Sequence, residues 1–202
     1  VLKKNNYYLG LTHELDVAKE YLHLLYENNV DARYGLLASS RDKSLKNFGV
    51  PKGFKNPGEI SPGKYGKWYA NPKGEDLSCN NLNTVSTEFG AQGLELDGTL
   101  LAWGSDFIRK ENVWDNSLAA KYMQMTRVKN ALSLRKNTYR VLLTRGRDGV
   151  VIFIPPMDIM RETYAYLKKC GFNPLIKGKR RRLQTRVKNT EPIDIYSFFT
   201  YI

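Results

Sequence analysis

Two short stretches hold residue types whose spacing suits work on a phosphate. The first is Ser86-Thr87-Glu88-Phe89-Gly90-Ala91-Gln92-Gly93-Leu94-Glu95-Leu96-Asp97, where two glycines bracket small and polar residues after an apolar strand candidate, Leu82–Thr87. Glycine permits close backbone approach to a phosphate or ribose, Ser86 and Thr87 can hydrogen-bond phosphate oxygens, and Glu95 can accept from ribose hydroxyls. A turn between elements also uses glycine for local reasons, and Glu95 fits an exposed turn with no ligand. The second stretch is Tyr139-Arg140-Val141-Leu142-Leu143-Thr144-Arg145-Gly146-Arg147, followed by Asp148-Gly149 and an apolar strand. A guanidinium presented from a helix end matches the charge that develops on a transferring γ-phosphoryl group, an effect worth about 10³–10⁵ in rate. The same three arginines equally suit a solvated basic helix face.

The elements that must position these loops follow from periodicity. Tyr7–Leu11 is short and apolar, and Thr12 stands as a helix N-cap ahead of Glu14 and Asp16. Leu15, Ala18, Leu22 and Leu25 recur at helical spacing, Asn28-Asn29 closes the helix, and an apolar stretch over Ala32–Ala38 ends in Ser39-Ser40-Arg41. This βαβ unit requires a parallel sheet. Residues 42–78 are rich in Gly, Pro, Lys and Asn, with Trp68 and Tyr69 as anchors, and are expected to form a long irregular insertion. Thr99–Trp103 is a further strand candidate. Leu118, Tyr122, Met125, Val128 and Leu132 have helical spacing, and a further helix carries Tyr139–Arg145 into a strand over Val150–Ile154. Pro155-Pro156 ends that strand, and Met157, Met160, Tyr164 and Leu167 mark an amphipathic helix stopped at Gly171. The expected fold is an α/β doubly wound, mainly parallel sheet with helices on both faces. One domain spans 1–176 and a basic extension spans 177–202.

Charge sets the class of partner. The chain of 202 residues carries 32 Lys and Arg against 20 acids, a net charge of +12, which favours a polyanionic ligand through counterion release. Lys177–Lys188 holds seven basic residues and no acid. Lys179, Arg180, Arg181 and Arg182 are nucleic-acid candidates there, with Phe198, Phe199 and Tyr201 as stacking groups; a solvated edge and a packed terminal strand are the alternatives. Cys79, Cys170, His13 and His23 offer neither a zinc spacing nor a disulfide framework, so no metal site is expected. No apolar run reaches membrane-spanning length, and the start at Val1 lacks a signal-peptide pattern and an initiator Met. The expectation is a soluble, cytoplasmic piece of a longer protein.

Gln92-Gly93-Leu94-Glu95 before an apolar strand resembles motif V of superfamily 1 helicases. Leu143-Thr144-Arg145 after Tyr139 resembles motif VI. Together with Thr87-Glu88-Phe89, Leu96-Asp97 and Trp103-Gly104, these segments resemble a bacterial helicase-domain family related to the Schlafen helicase-like region. The resemblance covers about residues 7–171 and implies the second, C-terminal RecA-like lobe of a DNA/RNA helicase. It implies Arg145 on the γ-phosphate, with Arg41 in a motif IV-like place meeting the same phosphate and Arg140 in support. It also implies Gln92, Gly93 and Glu95 near the nucleotide, and Ser86 or Thr87 near a strand phosphate.

A whole motor also needs a Gly-x-x-x-x-Gly-Lys-Ser/Thr loop and an acidic pair for Mg²⁺. This sequence has neither, since Gly63-Lys64 is followed by Tyr65. ATP and Mg²⁺ are therefore expected to be held mainly by an N-terminal RecA-like lobe of the same polypeptide, and the chain alone is expected to hydrolyse no ATP. Single-stranded DNA or RNA is the expected partner, with no membrane. The alternative is a catalytically degenerate helicase-like module that only binds nucleic acid. A nuclease is disfavoured, because no Asp/Glu/His grouping has metal-site spacing.

Overall fold

The computed structural model describes residues 7–51, 62–121 and 128–177, and for 62–65 the backbone alone. Strands β1 (Tyr8–Thr12), β2 (Tyr34–Ala38), β3 (Val85–Ser86), β4 (Leu96–Ala102), β7 (Gly146–Phe153) and β8 (Asn173–Pro174) form one sheet in the order β3-β2-β4-β7-β1-β8. Every pairing in it is parallel. Strands covered on both faces need apolar residues at nearly every position, and all five residues of β2 are buried. The side-chain alternation of a strand divides the core into two halves. Leu11, Leu37, Leu101 and Ile152 face one way, and Leu36, Leu100, Val151 and Phe153 face the other.

Helix α1 (Leu15–Leu25) covers the second of these faces through Leu15, Ala18 and Leu22, as the chain crosses from β1 over β7 and β4 to β2. Helices α3 (Ala131–Leu143) and α4 (Arg161–Lys169) cover the first face on the way back, through Tyr139, Leu142 and Leu167. Right-handed crossovers demand this split, since a reversed direction of travel puts the helix on the other side. The result is the α/β, RecA-like arrangement of a parallel sheet between two helical layers. Among the described residues no helix is long and apolar enough to cross a membrane.

Several expected elements differ in detail. The 42–78 insertion is not wholly irregular: it contains a 3-10 turn over Leu45–Phe48 and a helix, α2 (Pro62–Ala70). Trp68 of α2 is fully buried, and its indole lies where a Cβ on Gly35 would come within 2.8 Å, so β2 needs glycine at that point. Where the insertion ends, Asn80 accepts from Tyr34 N–H at 3.0 Å and donates to Ala32 O at 2.8 Å, fixing the start of β2. Thr12 is the last residue of β1; its hydroxyl accepts Glu14 N–H at 3.1 Å, and the N-cap itself is Glu14.

The strand expected over Leu82–Thr87 is only Val85–Ser86, because Leu82 takes a left-handed conformation after a 3-10 turn at Cys79–Asn81. Leu118 sits exposed outside any helix, Tyr122 and Met125 lie outside the described residues, and α3 starts at Ala131, capped by Asn130 accepting from Ser133 N–H. That helix ends at Leu143 rather than Arg145, because β7 begins at Gly146 to pair with Leu96. A hairpin of β5 (Ile108–Lys110) and β6 (Val113–Asp115) follows β4 and had no sequence expectation.

Candidate functional site

Parallel strands send the start and the end of each connecting loop to opposite edges of the sheet. The loop from Thr87 to Glu95 joins β3 to β4, so Ser86 and Thr87 lie at the carboxyl edge while Glu95 lies at the amino edge. Helix α3 makes the same journey on the covering layer, and its last turn delivers Arg145 beside Leu96 at the start of β4.

At the amino edge the two motif-like segments meet. Leu96 N–H donates to Arg145 O at 2.9 Å, and Arg145 Nη1 donates to Leu94 O at 3.3 Å. Arg145 Nε donates to Val141 O at 3.1 Å, so the guanidinium leans on carbonyls at a helix C-terminus, where a cation is favoured. Among the described residues no carboxylate pairs with it. The Thr144 hydroxyl closes the helix by donating to Arg140 O at 3.0 Å and Val141 O at 3.1 Å. Gly93 turns the loop with φ of +82°, and Gln92, Gly93 and Glu95 are all exposed. Tyr69 of α2 donates to Glu95 O at 2.9 Å, holding the loop while the Glu95 side chain stays in solvent. Arg140 is half-buried further back on α3 and donates to Asn137 Oδ1 at 3.1 Å.

The carboxyl edge is built differently. Ser39 after β2, Glu88 after β3 and Asp106 after β4 converge on Arg135 of α3. Arg135 Nη1 donates to Ser39 Oγ at 2.6 Å and lies 3.2 Å from Asp106 Oδ2 and 3.8 Å from Glu88 Oε1. Ser39 Oγ donates to Asp106 Oδ2, and Tyr139 OH donates to Asp106 Oδ1 at 2.7 Å. Glu88 accepts from Ser40 N–H at 2.9 Å and Ser40 Oγ at 2.7 Å. Asp42 ties the same loop down by accepting from Ser44, Leu45 and Ser105 N–H groups. A Cβ on Gly104 would overlap the Asp42 carboxylate, so that glycine is required sterically. Burial pushes the Asp106 carboxyl up, against the pull of the Ser39 and Tyr139 hydrogen bonds and the Arg135 charge. Burial, reinforced by the charge of Asp106, holds the Tyr139 phenol well above its usual range.

Arg41 also stands at this edge, half-buried, donating from Nη1 to Lys121 O at 3.2 Å. The seven residues of β4 put about 20 Å between the two edges. Arg41 and Arg145, grouped on one phosphate by the family resemblance, therefore do not converge within this chain. Ser86 is fully buried with no hydrogen-bond partner at Oγ among the described residues, whereas Thr87 is half-buried. The candidates Lys179, Arg180, Arg181 and Arg182 lie outside the described residues. Among the described residues no group of three His, Cys, Asp or Glu could hold a metal ion.

The Ser39–Glu88–Asp106–Arg135 network was missed because motif reading follows contiguous residues. Its usable signal was positional: each acceptor lies within four residues after a strand of a parallel sheet, where polar groups converge.

No characterised protein and no solved structure shows significant similarity to the chain. The family described as Schlafen group 3, DNA/RNA helicase domain, matches residues 1–156, a span that holds both edges of the sheet and every strand except β8. The chain therefore belongs to the Schlafen group 3 DNA/RNA helicase domain family.

Proposed function

We propose that this chain is the second RecA-like lobe of an ATP-dependent, superfamily 1-type DNA or RNA helicase or translocase, and that Arg145 is its arginine finger. The observation that carries this reading is the junction at the amino edge. A half-buried guanidinium, held by Val141 and Leu94 carbonyls and paired with no acid among the described residues, stands beside the exposed Glu95 loop. Carbonyl partners orient the group without neutralising it, which is the condition for acting on a phosphoryl group held by another surface.

On this reading bound ATP–Mg²⁺ supplies the transferable γ-phosphoryl group. The described residues fit one flank of a nucleotide, through Arg145, the Glu95 carboxylate and the open backbone at Gln92-Gly93. On the same reading Mg²⁺ and the phosphate cradle would be supplied by an N-terminal RecA-like lobe of the same polypeptide. Arg145 would stabilise charge on the γ-phosphate, Glu95 would accept from ribose hydroxyls, and Arg140 would support the helix end. Arg41 and Thr87 fall to the opposite edge, and with it to the nucleic-acid track rather than to the phosphate. Closure and opening of the lobes would move single-stranded DNA or RNA across them.

The test is ATP turnover by the intact polypeptide. Arg145→Ala should lower kcat by at least about 10²-fold, roughly 2.7 kcal/mol of barrier, with unchanged folding. Arg145→Lys should not restore it, because a point charge lacks the planar fork. Unchanged turnover in Arg145→Ala overturns the finger assignment. An unmodified intact protein that binds strands but hydrolyses no ATP would make the chain a nucleic-acid clamp instead.

A further inference from the structure

Beside the carboxyl-edge network, where Leu132 and Lys136 flank Arg135 on α3, one cleft combines the two features that hold a nucleic-acid strand. Hairpin β5–β6 turns through Glu111 and Asn112, with φ of 52° and 65°, and is pinned to α4. Arg109 N–H donates to Thr163 Oγ1 and Asn112 N–H to Glu162 Oε1, both at 2.8 Å. Between this hairpin, α3 and α4 lies an open cleft of about 470 Å³ lined by Arg109, Val113, Trp114, Leu132, Lys136 and Tyr166.

Its chemistry is cationic at the rim and apolar or aromatic within. The Arg109 guanidinium lies 4.1 Å from the Tyr166 ring centroid and 5.7 Å from that of Trp114, and donates to Asn112 O at 2.6 Å. Glu162, at 3.8 Å, is its one carboxylate neighbour among the described residues, so the charge is fixed in direction but only partly offset there. Lys136 is half-buried on α3 and pairs with no acid among the described residues. Val113 is 63% exposed on the hairpin, an apolar side chain with no burial of its own to account for it. Trp114, 7% exposed and stacked on Phe107 at 4.4 Å and 11°, backs the cleft.

We propose that this cleft binds one nucleotide unit of single-stranded DNA or RNA. The base would lie between Val113 and Leu132 against the aromatic floor, and its phosphate would contact Arg109 and Lys136. The volume suits a ligand of that size, and apolar and cationic side chains side by side suit the base and the phosphate of a strand gripped without reading its sequence. The proposal rests on the family assignment and the cleft, and not on the role given to Arg145.

Binding of a labelled short oligothymidylate or oligouridylate to the intact protein, without ATP and over a range of salt, tests it. Lys136→Glu should weaken binding about tenfold and lower the log–log salt slope by about one. Val113→Asp, at a tolerant exposed site, should weaken it about fivefold. Lys19→Glu makes the same charge change on α1, which covers the other face of the sheet, and should stay within about twofold. Arg145→Ala should keep strand affinity while losing hydrolysis, which separates the two readings. Wild-type affinity in both cleft variants, with thermal midpoints unchanged, overturns the proposal. So does an equal loss in Lys19→Glu. Loss of thymidine or uridine monophosphate or inorganic phosphate binding, with oligonucleotide binding intact, would reassign the cleft to a free ligand.

Discussion

The two edges of the sheet hold similar residue types in opposite states. At the carboxyl edge Asp106, Glu88 and Arg135 are buried and bonded to one another and to Ser39, Ser40 and Tyr139. At the amino edge Glu95 is exposed and Arg145 rests on carbonyls, with no acid within pairing distance among the described residues. Ligands of parallel α/β sheets ordinarily sit at the carboxyl edge. Here the crevice between the ends of β2 and β4 is filled by the protein's own charges. A charge neutralised by internal partners holds loops together, whereas one that is oriented but not neutralised is available to a ligand.

That contrast breaks most sharply at Arg135. Truncation to Ala leaves two buried carboxylates without their cation and should cost about 3–5 kcal/mol of stability, read as a lower urea midpoint. Loss of less than about 1 kcal/mol would show that the network is not structural. Arg145→Ala should do the reverse, costing at least about 2.7 kcal/mol in the ATPase barrier of the intact polypeptide while moving the urea midpoint little. A large loss of stability there would put the two arginines in one class. Gly35→Ala tests the layer between the edges: its methyl meets Trp68 at 2.8 Å, and overpacking of this kind costs about 1–3 kcal/mol. An unchanged midpoint would mean that α2 yields without cost.

The smallest effect is expected at His23, whose ring Nδ1 lies 3.0 Å from Tyr34 OH. Burial first, then Lys73 and Lys19, lowers its pKa below the ordinary 6.5. The unfolded chain then binds the proton more readily between the folded value and 6.5, so the stability tied to this group is complete above 6.5 and is lost as pH falls through that window. His23→Gln should flatten this part of the urea midpoint's pH profile, and an unchanged slope would remove His23 as its source.

The family-bearing segments were legible because they are contiguous. Gln92-Gly93-Leu94-Glu95 and Leu143-Thr144-Arg145 stand as strings, and the apolar runs of β2, β4 and β7 mark a parallel sheet by themselves. Leu118, expected on a helix, lies exposed outside one, because helical spacing alone gives a segment no surface to pack against. Hairpin β5–β6 escaped notice because each of its strands has three residues, too few to show a period.

By itself, the order of residues determined the layered class of the fold, the presence of a glycine turn and of a helix-end arginine, and the absence of a phosphate loop from this stretch. Tertiary structure alone decided which of these polar residues share a place. It joined Arg135 to Ser39 across 96 positions, set Arg145 against Leu94 across 51, and put Arg41 at the far edge. The physical reason is that parallel pairing sends each loop's two ends to opposite sides of the sheet, so nearness along the chain says little about nearness in the site.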